Sequence, residues 1–324
     1  MVRGECRVVT VGEREQQGPR VGGISHRTAS WLAWSACAVC VALIALAFLL
    51  DFVTDFVPVQ PERLDPSVTV LLGVLSLAFS TVGALIASRL PANSVGWIFC
   101  IIGLLFAAQR FSIAYADYAL VENLTLPGGQ DAAWFSTWVG FANRTLGVFL
   151  MLLFPDGQLP SRRWRIVAWA VLLGAALTAL GEAFMLRQLP THPYLFNPYG
   201  VAGVTNNEFR TYQFFVASSL LGNALLSTGT LVALLSLFLR LHLARRDEHQ
   251  QIKWFLFAAV PAVVCVSLIV VPGMVYNFTA AFLFNSVRLM SFVEVPNVLL
   301  YVAVFALLFV PVCTYTAITK HGSV

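Results

Sequence analysis

Charged residues are scarce in this chain of 324 residues: Asp, Glu, Lys and Arg together make up 11% of it. Soluble domains usually contain about 25% charged residues, so this chain has too few to cover a water-facing surface. Hydrophobic residues make up 58% of the chain, and its mean hydropathy is +0.78. This composition is typical of an integral membrane protein. The net charge of +4 then reflects where basic residues lie relative to the bilayer, and it does not indicate nucleic-acid binding.

The sequence also lacks the short motifs of common enzymes and metal sites. It contains no Walker loop, no G-x-S-x-G and no H-E-x-x-H, and its histidines lie outside the apolar runs. Cys37 and Cys40 have the C-x-x-C spacing, but they lie inside an apolar run with no second pair of ligands. We therefore predict that the protein is not an enzyme and that it binds neither a cofactor nor a metal ion.

Long apolar runs are abundant, and several exceed the ~18 residues that indicate a transmembrane helix. The predicted spans cover residues 31–53, 68–90, 95–119, 134–154, 164–186, 212–241, 254–276 and 293–318. The predicted fold is all-α: a polytopic transmembrane helix bundle of about eight spans over residues 31–318. A disordered leader, 1–30, precedes the bundle, and a short tail, 319–324, follows it.

Basic residues alternate between the two sides of the predicted bundle. Of the 18 Lys and Arg outside the spans, 14 fall in the leader, in every second connector and in the tail. The positive-inside rule then predicts that both termini are cytoplasmic, in a multi-pass protein of the cell membrane. The longest connector on the other side, residues 187–211, is rich in turn residues, and we expect it to have a structure of its own.

The connector between spans four and five is short and strongly basic. Phe154, Pro155, Asp156 and Gly157 fit a type I turn, with Pro at its second position and Gly at its fourth. This turn is followed by a basic aromatic cluster, which predicts a cytoplasmic hairpin held near anionic lipid headgroups. The cluster consists of Arg162, Arg163, Trp164 and Arg165.

Arg144 is the charged residue closest to the predicted bilayer midplane, about 15 Å into span four at 1.5 Å per residue. Gly140, Asn143 and Gly147 share its helix face, and Asn223 of span six lies at a similar depth. We expect a buried contact between Arg144 and Asn223. It could be a structural polar clamp between helices, or it could belong to a ligand-binding or functional site.

Three further charged residues lie in the predicted outer half of the bilayer: Arg110, Asp117 and Glu182. Arg110 and Asp117 are seven residues apart and share one helix face. Together with Glu182 they could line an outward-facing pocket. Alternatively, Arg110 and Glu182 could neutralise each other, or their charged groups could extend to the interface.

Four segments of the chain match a known pattern: LPANSVGWIFCIIGLLFAAQRFSIAYADYAL (90–120), LLFPDGQLPSRRWRIVAW (152–169), NPYGV (197–201) and RRDEHQQIKWF (245–255). In these segments the chain resembles the multi-span membrane region at the amino end of bacterial sensor histidine kinases, many of them actinobacterial. The resemblance covers roughly residues 31–320. In such proteins a cytoplasmic linker and the kinase modules follow the last membrane helix. Here only TKHGSV follows the last predicted span, so the resemblance implies a signal-input module without its catalytic output.

The resulting hypothesis is a sensor-like membrane protein that acts in signal transduction through a partner. Its candidate partners are the lipid bilayer, a cytoplasmic kinase or other signalling protein, and a second copy of the chain, but no nucleic acid. The alternative is a small-solute transporter whose path is lined by Arg144 and Asn223. A transporter should show broken spans or repeat symmetry, and the sequence shows no clear repeat. A lipid-handling membrane enzyme would need clustered catalytic groups at an interface, and none are evident.

Overall fold

The computed structural model describes residues 25–54, 66–122, 126–185, 188–189, 191–201, 206–243 and 246–279. Within these ranges the chain is almost entirely helical, as the sequence predicts. The α-helices are α1 (His26–Thr54), α2 (Pro66–Arg89), α3 (Ser94–Asp117), α4 (Gly129–Leu153), α5 (Trp164–Phe184), α6 (Asn206–Leu243) and α7 (Arg246–Phe278). The predicted eighth span, 293–318, and the predicted tail lie outside the described residues.

Six of the described helices are long and apolar enough to cross a membrane: α1, α2, α3, α5, α6 and α7. The chain is therefore a membrane protein by the length and composition of its helices. α4 has 25 residues and so a length of about 37 Å, but it is less apolar than the others. Its sequence includes Gln130, Asp131, Asn143 and Arg144.

Four helices begin at least five residues earlier than the apolar runs indicate, and one of them is α4, which begins at Gly129. α1 begins at His26, so residues 26–30 of the predicted leader are helical. The Ser25 hydroxyl accepts a hydrogen bond from the Thr28 amide at 3.2 Å, which is the geometry of a helix N-cap. α6 and α7 begin at Asn206 and Arg246, ahead of their apolar segments. Polar residues therefore extend these helices beyond the region that hydropathy defines.

Two antiparallel helix pairs are packed through small residues. In the α2–α3 pair, a Cβ added to Gly83 would lie 2.5 Å from the Cys100 backbone, and one added to Gly103 would lie 2.6 Å from the Ser80 backbone. In the α5–α6 pair, a Cβ added to Gly222 would lie 2.4 Å from the Thr178 amide nitrogen. Backbones can approach this closely only where side chains are absent, as in other membrane helix interfaces.

α4 packs against both of these pairs and runs antiparallel to α3 and to α5. The two ends of the bundle are named here by their features. The hairpin end contains residues 91–94 and 154–163. The sheet end contains residues 126–131 and a small antiparallel pair of strands, β1 (Gln188–Leu189) and β2 (His192–Phe196). The long connector thus has the structure of its own that its turn residues predict, although residues 187, 190 and 202–205 within it lie outside the described residues.

Candidate functional site: a cavity beside α4

The stripe of α4 that carries Arg144 faces a cavity of about 370 Å³. Gly140, Asn143, Arg144 and Gly147 all line it, which agrees with the shared helix face read from their spacing. The opposite walls come from α2, α3, α6 and α7. Pockets that hold small molecules have volumes of about 300–1,000 Å³, so this cavity is large enough for a ligand.

Arg144 forms the contact that its depth predicts. Its Nη1 donates to Asn223 Oδ1 at 2.8 Å, and its Nη2 donates to Ser227 Oγ at 2.7 Å. Both acceptors are neutral side chains of α6. Because α4 and α6 belong to different parts of the bundle, these two hydrogen bonds connect the helix that lines the cavity to the α5–α6 pair.

The hydrogen bonds continue from Asn223 towards the sheet end. Asn223 Nδ2 donates to the Ser219 carbonyl at 3.0 Å, and the Ser219 hydroxyl donates to Glu182 Oε1 at 2.6 Å. Glu182 is 5% exposed, so its carboxylate is bound inside the protein and does not extend to the interface. Three of the predicted site residues, Arg144, Asn223 and Glu182, are thus members of one polar chain across α4, α6 and α5.

Arg110 pairs with a residue other than Glu182, the partner that the sequence analysis considered. Its Nη2 forms an ion pair with Asp51 of α1, and its guanidinium lies 5.6 Å from the centre of the Phe48 ring. The alternative in which Arg110 and Glu182 neutralise each other is therefore replaced by a pair between Arg110 and Asp51. Asp51 lies near the end of the first apolar run, at the depth of Arg110, and comparing the depths of opposite charges could have identified it.

Asp117 lies at the sheet end, away from both of these arrangements. Tyr194 donates to Asp117 Oδ1 at 3.1 Å, and His192 Nε2 lies 3.4 Å from the same oxygen. The structure therefore does not bring these three charged residues together in the single outward-facing pocket that the sequence analysis considered. Each lies in a separate environment: Arg110, Asp117 and Glu182. The reason is that each has a nearer partner on an adjacent helix or on β2.

The basic hairpin is fastened by hydrogen bonds to backbone carbonyl groups. Arg240 of α6 donates to the carbonyls of Leu152 at 2.8 Å and Gln158 at 3.4 Å, and also to that of Phe154. The last carbonyls of a helix have no partner within the helix, and a cation there is favoured by the helix dipole. Arg240 therefore caps α4, a role that its position among the basic residues of the sequence did not suggest.

The start of α3 fastens the same hairpin from the other side. Asn93 Nδ2 donates to the Pro155 carbonyl at 3.2 Å, and the Ser94 hydroxyl donates to the Gly157 carbonyl at 2.9 Å. Phe154 stacks on Phe255 of α7, with ring centres 4.2 Å apart. We call this group, formed by residues 93–94, 152–158, 240 and 255, the hairpin latch.

In the latch the Gly157 amide does not donate to the Phe154 carbonyl, the hydrogen bond that often closes a type I turn. The Gly157 amide donates to the Leu153 carbonyl at 2.8 Å, while the Phe154 carbonyl accepts from Arg240. Gly157 has φ +74°, and a Cβ there would lie 2.7 Å from Asn93 Oδ1. Glycine is thus required both by the backbone conformation and by the close contact. The basic cluster differs in exposure: the three arginines are exposed, and Trp164 is partly buried at the start of α5.

The sheet end is fastened in a similar way by the segment 197–201. Asn197 Nδ2 donates to the carbonyls of Ala183 at 2.9 Å and Met185 at 3.0 Å, which caps α5. The indole of Trp134 donates to the Ala183 carbonyl as well, at 2.9 Å. Tyr199 packs on Trp134 and donates to the Asp131 carboxylate. The segment therefore holds the start of α4 against the end of α5.

The described residues contain no group of three or more His, Cys, Asp or Glu side chains placed to hold a metal ion. No family model matches the chain, and no curated protein or solved structure is significantly similar to it. The fold and the cavity define an all-helical membrane protein with a largely apolar cavity beside α4, in which Arg144 and Asn143 are polar.

Proposed function

We propose that this protein is a sensor-like receptor of the cell membrane, in which a small ligand bound in the α4 cavity changes the hairpin latch. The observation that carries the proposal is that the α4 cavity and the hairpin latch share side chains. Phe255 lines the cavity and also stacks on Phe154 of the latch. Leu150 and Met151, which end α4 beside the latch, line the same cavity. A ligand that moved these side chains would act on the latch directly.

In this proposal the chain has eight spans and both termini in the cytoplasm, so the hairpin end is cytoplasmic and the sheet end is external. A cytoplasmic kinase or another signalling protein, not this chain, supplies the output. The support for this orientation is the distribution of basic residues, including exposed Arg162, Arg163 and Arg165 beside the latch.

Two exposed glutamines offer a matched test of the orientation. Gln130 lies at the sheet end and Gln158 at the hairpin end. With Cys6 replaced by serine, Gln130→Cys should react with a membrane-impermeant thiol reagent in intact cells, and Gln158→Cys should react only after the cells are opened. The opposite pattern would reverse the proposed orientation.

The link between cavity and latch can be tested without knowing the ligand. A Cβ added to Gly147 has no atom within 4 Å, so Gly147→Leu should place its side chain in the cavity and mimic an occupant. We expect it to change the labelling rate of Gln158→Cys several-fold in the purified protein. Ala176→Leu is the control, because Ala176 is exposed on α5 and lies outside the cavity lining.

An unchanged labelling rate in a folded Gly147→Leu protein would contradict the receptor proposal. The transporter alternative makes a different prediction for the same variant: blocked solute flux with no change at the latch. Among the described residues, the polar side chains of the cavity lining lie mostly on α4 and α6.

A further inference from the structure

The positive charge of Arg144 has no negative partner among the described residues. Its two hydrogen bonds go to the neutral side chains of Asn223 and Ser227. A guanidinium group has five N–H donors, and the side chain is only partly buried because it faces the cavity. Charged groups inside a membrane protein are usually paired, so the cavity offers an anion an unneutralised partner.

Asn143 provides an independent indication of a ligand at the same place. Its side chain is 7% exposed and lines the cavity beside Arg144. Neither its Nδ2 nor its Oδ1 has a hydrogen-bond partner within the described part of the chain. Most buried polar side chains are hydrogen-bonded, and an unpartnered one is costly. A ligand atom that accepts from Nδ2 would remove that cost.

The rest of the cavity suits an apolar body. Arg144 is the one charged residue among the described lining residues. Aromatic and aliphatic side chains form the walls opposite α4 and α6. They include Phe79, Ile102, Phe106, Val263, Val266 and Val270. A ligand with two negative charges would leave one charge without a partner among these groups, so a single negative charge fits best.

From these three observations we propose that the cavity binds a single-tailed amphipath with one carboxylate, whose head group is held by Arg144 and Asn143. The apolar tail would lie among the side chains of α2, α3 and α7. This inference rests on the proposed receptor function and specifies the chemistry of its ligand.

Decanoate is a suitable probe, with decan-1-ol and decyltrimethylammonium as controls of equal chain length that lack the negative charge. The full-length protein is placed in nanodiscs of zwitterionic lipid, and its thermal unfolding is followed by tryptophan fluorescence. A ligand that binds only the folded state stabilises it. We expect decanoate to raise the Tm by about 5 °C at 100 times its Kd, and the two controls to have little effect.

Two variants separate binding from a structural role. Arg144→Gln should weaken decanoate binding at least tenfold, because it removes the charged donor. Since this variant also loses part of the α4–α6 contact, Asn143→Leu is the more decisive change. It should leave the Tm of the free protein equal or higher, because it removes an unpartnered polar group, while weakening decanoate binding about tenfold.

Several results would overturn the proposal. Equal stabilisation by decanol and decanoate would show a ligand cavity without anion selectivity, which would reject the ligand class and leave the receptor function intact. Loss of the decanoate effect in nanodiscs that contain phosphatidylglycerol would assign the site to a phospholipid headgroup instead. Unchanged decanoate binding in Asn143→Leu would exclude this side chain from the site. No stabilisation by any probe, combined with an unresponsive latch in Gly147→Leu, would reject the receptor function as well.

Discussion

The two helix pairs α2–α3 and α5–α6 differ in packing from the region between α4 and α7. In the pairs, glycines meet backbone: Cβ atoms added to Gly96, Gly181 and Gly222 would lie 2.7, 2.6 and 2.4 Å from the backbone of the facing helix. In the region beside α4, a Cβ added to Gly147 meets nothing within 4 Å, and a cavity of about 370 Å³ separates α4 from α7.

The difference shows that glycine on a membrane helix has two meanings. Where two stripes of small residues face each other, the backbones of the two helices come close together. Where a small residue faces larger side chains on several helices, space remains. The polar side chains of Asn143 and Arg144 lie in this second region, so the loosely packed part of the bundle also contains its buried polar groups beside α4.

The largest effect is expected from filling a packed interface. Gly222→Leu would place side-chain atoms against the Thr178 amide, where even a Cβ lies 2.4 Å away. We expect the α5–α6 pair to separate, with a loss of about 3 kcal/mol or more in the free energy of unfolding. Reversible unfolding in mixed micelles would measure it. If Gly222→Leu were as stable as the wild type, the close approach of α5 and α6 would be refuted.

A smaller loss is expected when the connection between the two regions is cut. Arg240 joins α6 of a packed pair to the last carbonyls of α4. Arg240→Met should cost about 2 kcal/mol, the loss typical of hydrogen bonds to a charged group, and it should speed the labelling of Gln158→Cys. Arg162→Met is the control, because Arg162 is exposed and should change stability by less than about 0.5 kcal/mol.

In the cavity the sign of the stability change should reverse. Gly147→Leu adds apolar atoms to open space and removes a glycine from a helix. We expect a gain of about 1 kcal/mol in the free energy of unfolding, with Gly147→Ala intermediate. The same unfolding measurement applies. A loss of stability comparable to that of Gly222→Leu would mean that α4 and α7 have no usable space between them.

The smallest effect concerns the sheet end, outside both regions. The hydrogen bond from Tyr199 to the Asp131 carboxylate raises the pKa of Tyr199 above its ordinary value of 10.0. Because the pKa of Tyr199 is raised in the folded protein, this hydrogen bond contributes fully to folding stability below about pH 10. The contribution is lost as the pH rises through the pKa that Tyr199 has in the folded protein. Phenolate absorbance, taken as the difference between the wild type and Tyr199→Phe, would locate that pKa. Asp131→Asn should lower it.

Hydropathy and charge spacing predicted much of the fold but fewer of the contacts. The apolar runs located each described helix to within several residues because burial in lipid requires apolar side chains along a whole span. They missed the polar first turns of α6 and α7. Those turns are helical through backbone hydrogen bonds, which do not require apolar side chains. The predicted span beyond residue 279 and the positions of both termini stay predictions.

Part of the candidate site could be predicted from the sequence, because the depth of a residue along a helix follows from its position. Arg144 and Asn223 lie at equal depth on helices with small residues, and depth follows directly from the helical rise. Ser227 lies one turn beyond Asn223 and could have been added by the same argument. The cavity could not be predicted, because it depends on the separation of five helices, α2, α3, α4, α6 and α7. Arg240 was missed because its partners are backbone carbonyls, which leave no trace in residue type.

The neutral partners of Arg144 also have a consequence for how the protein is made. An arginine at the centre of a membrane helix costs about 2.5–3.5 kcal/mol on insertion scales, and its two acceptors lie about 80 residues further along the chain. During synthesis α4 therefore emerges before α6 can bind its guanidinium. We expect α4 alone to insert inefficiently and to do so well only when the chain extends through α6, a difference that glycosylation-site mapping of truncated chains would detect. In the eight-span proposal, the residue proposed to bind an anion would thus also make α4 depend on a later helix for its insertion.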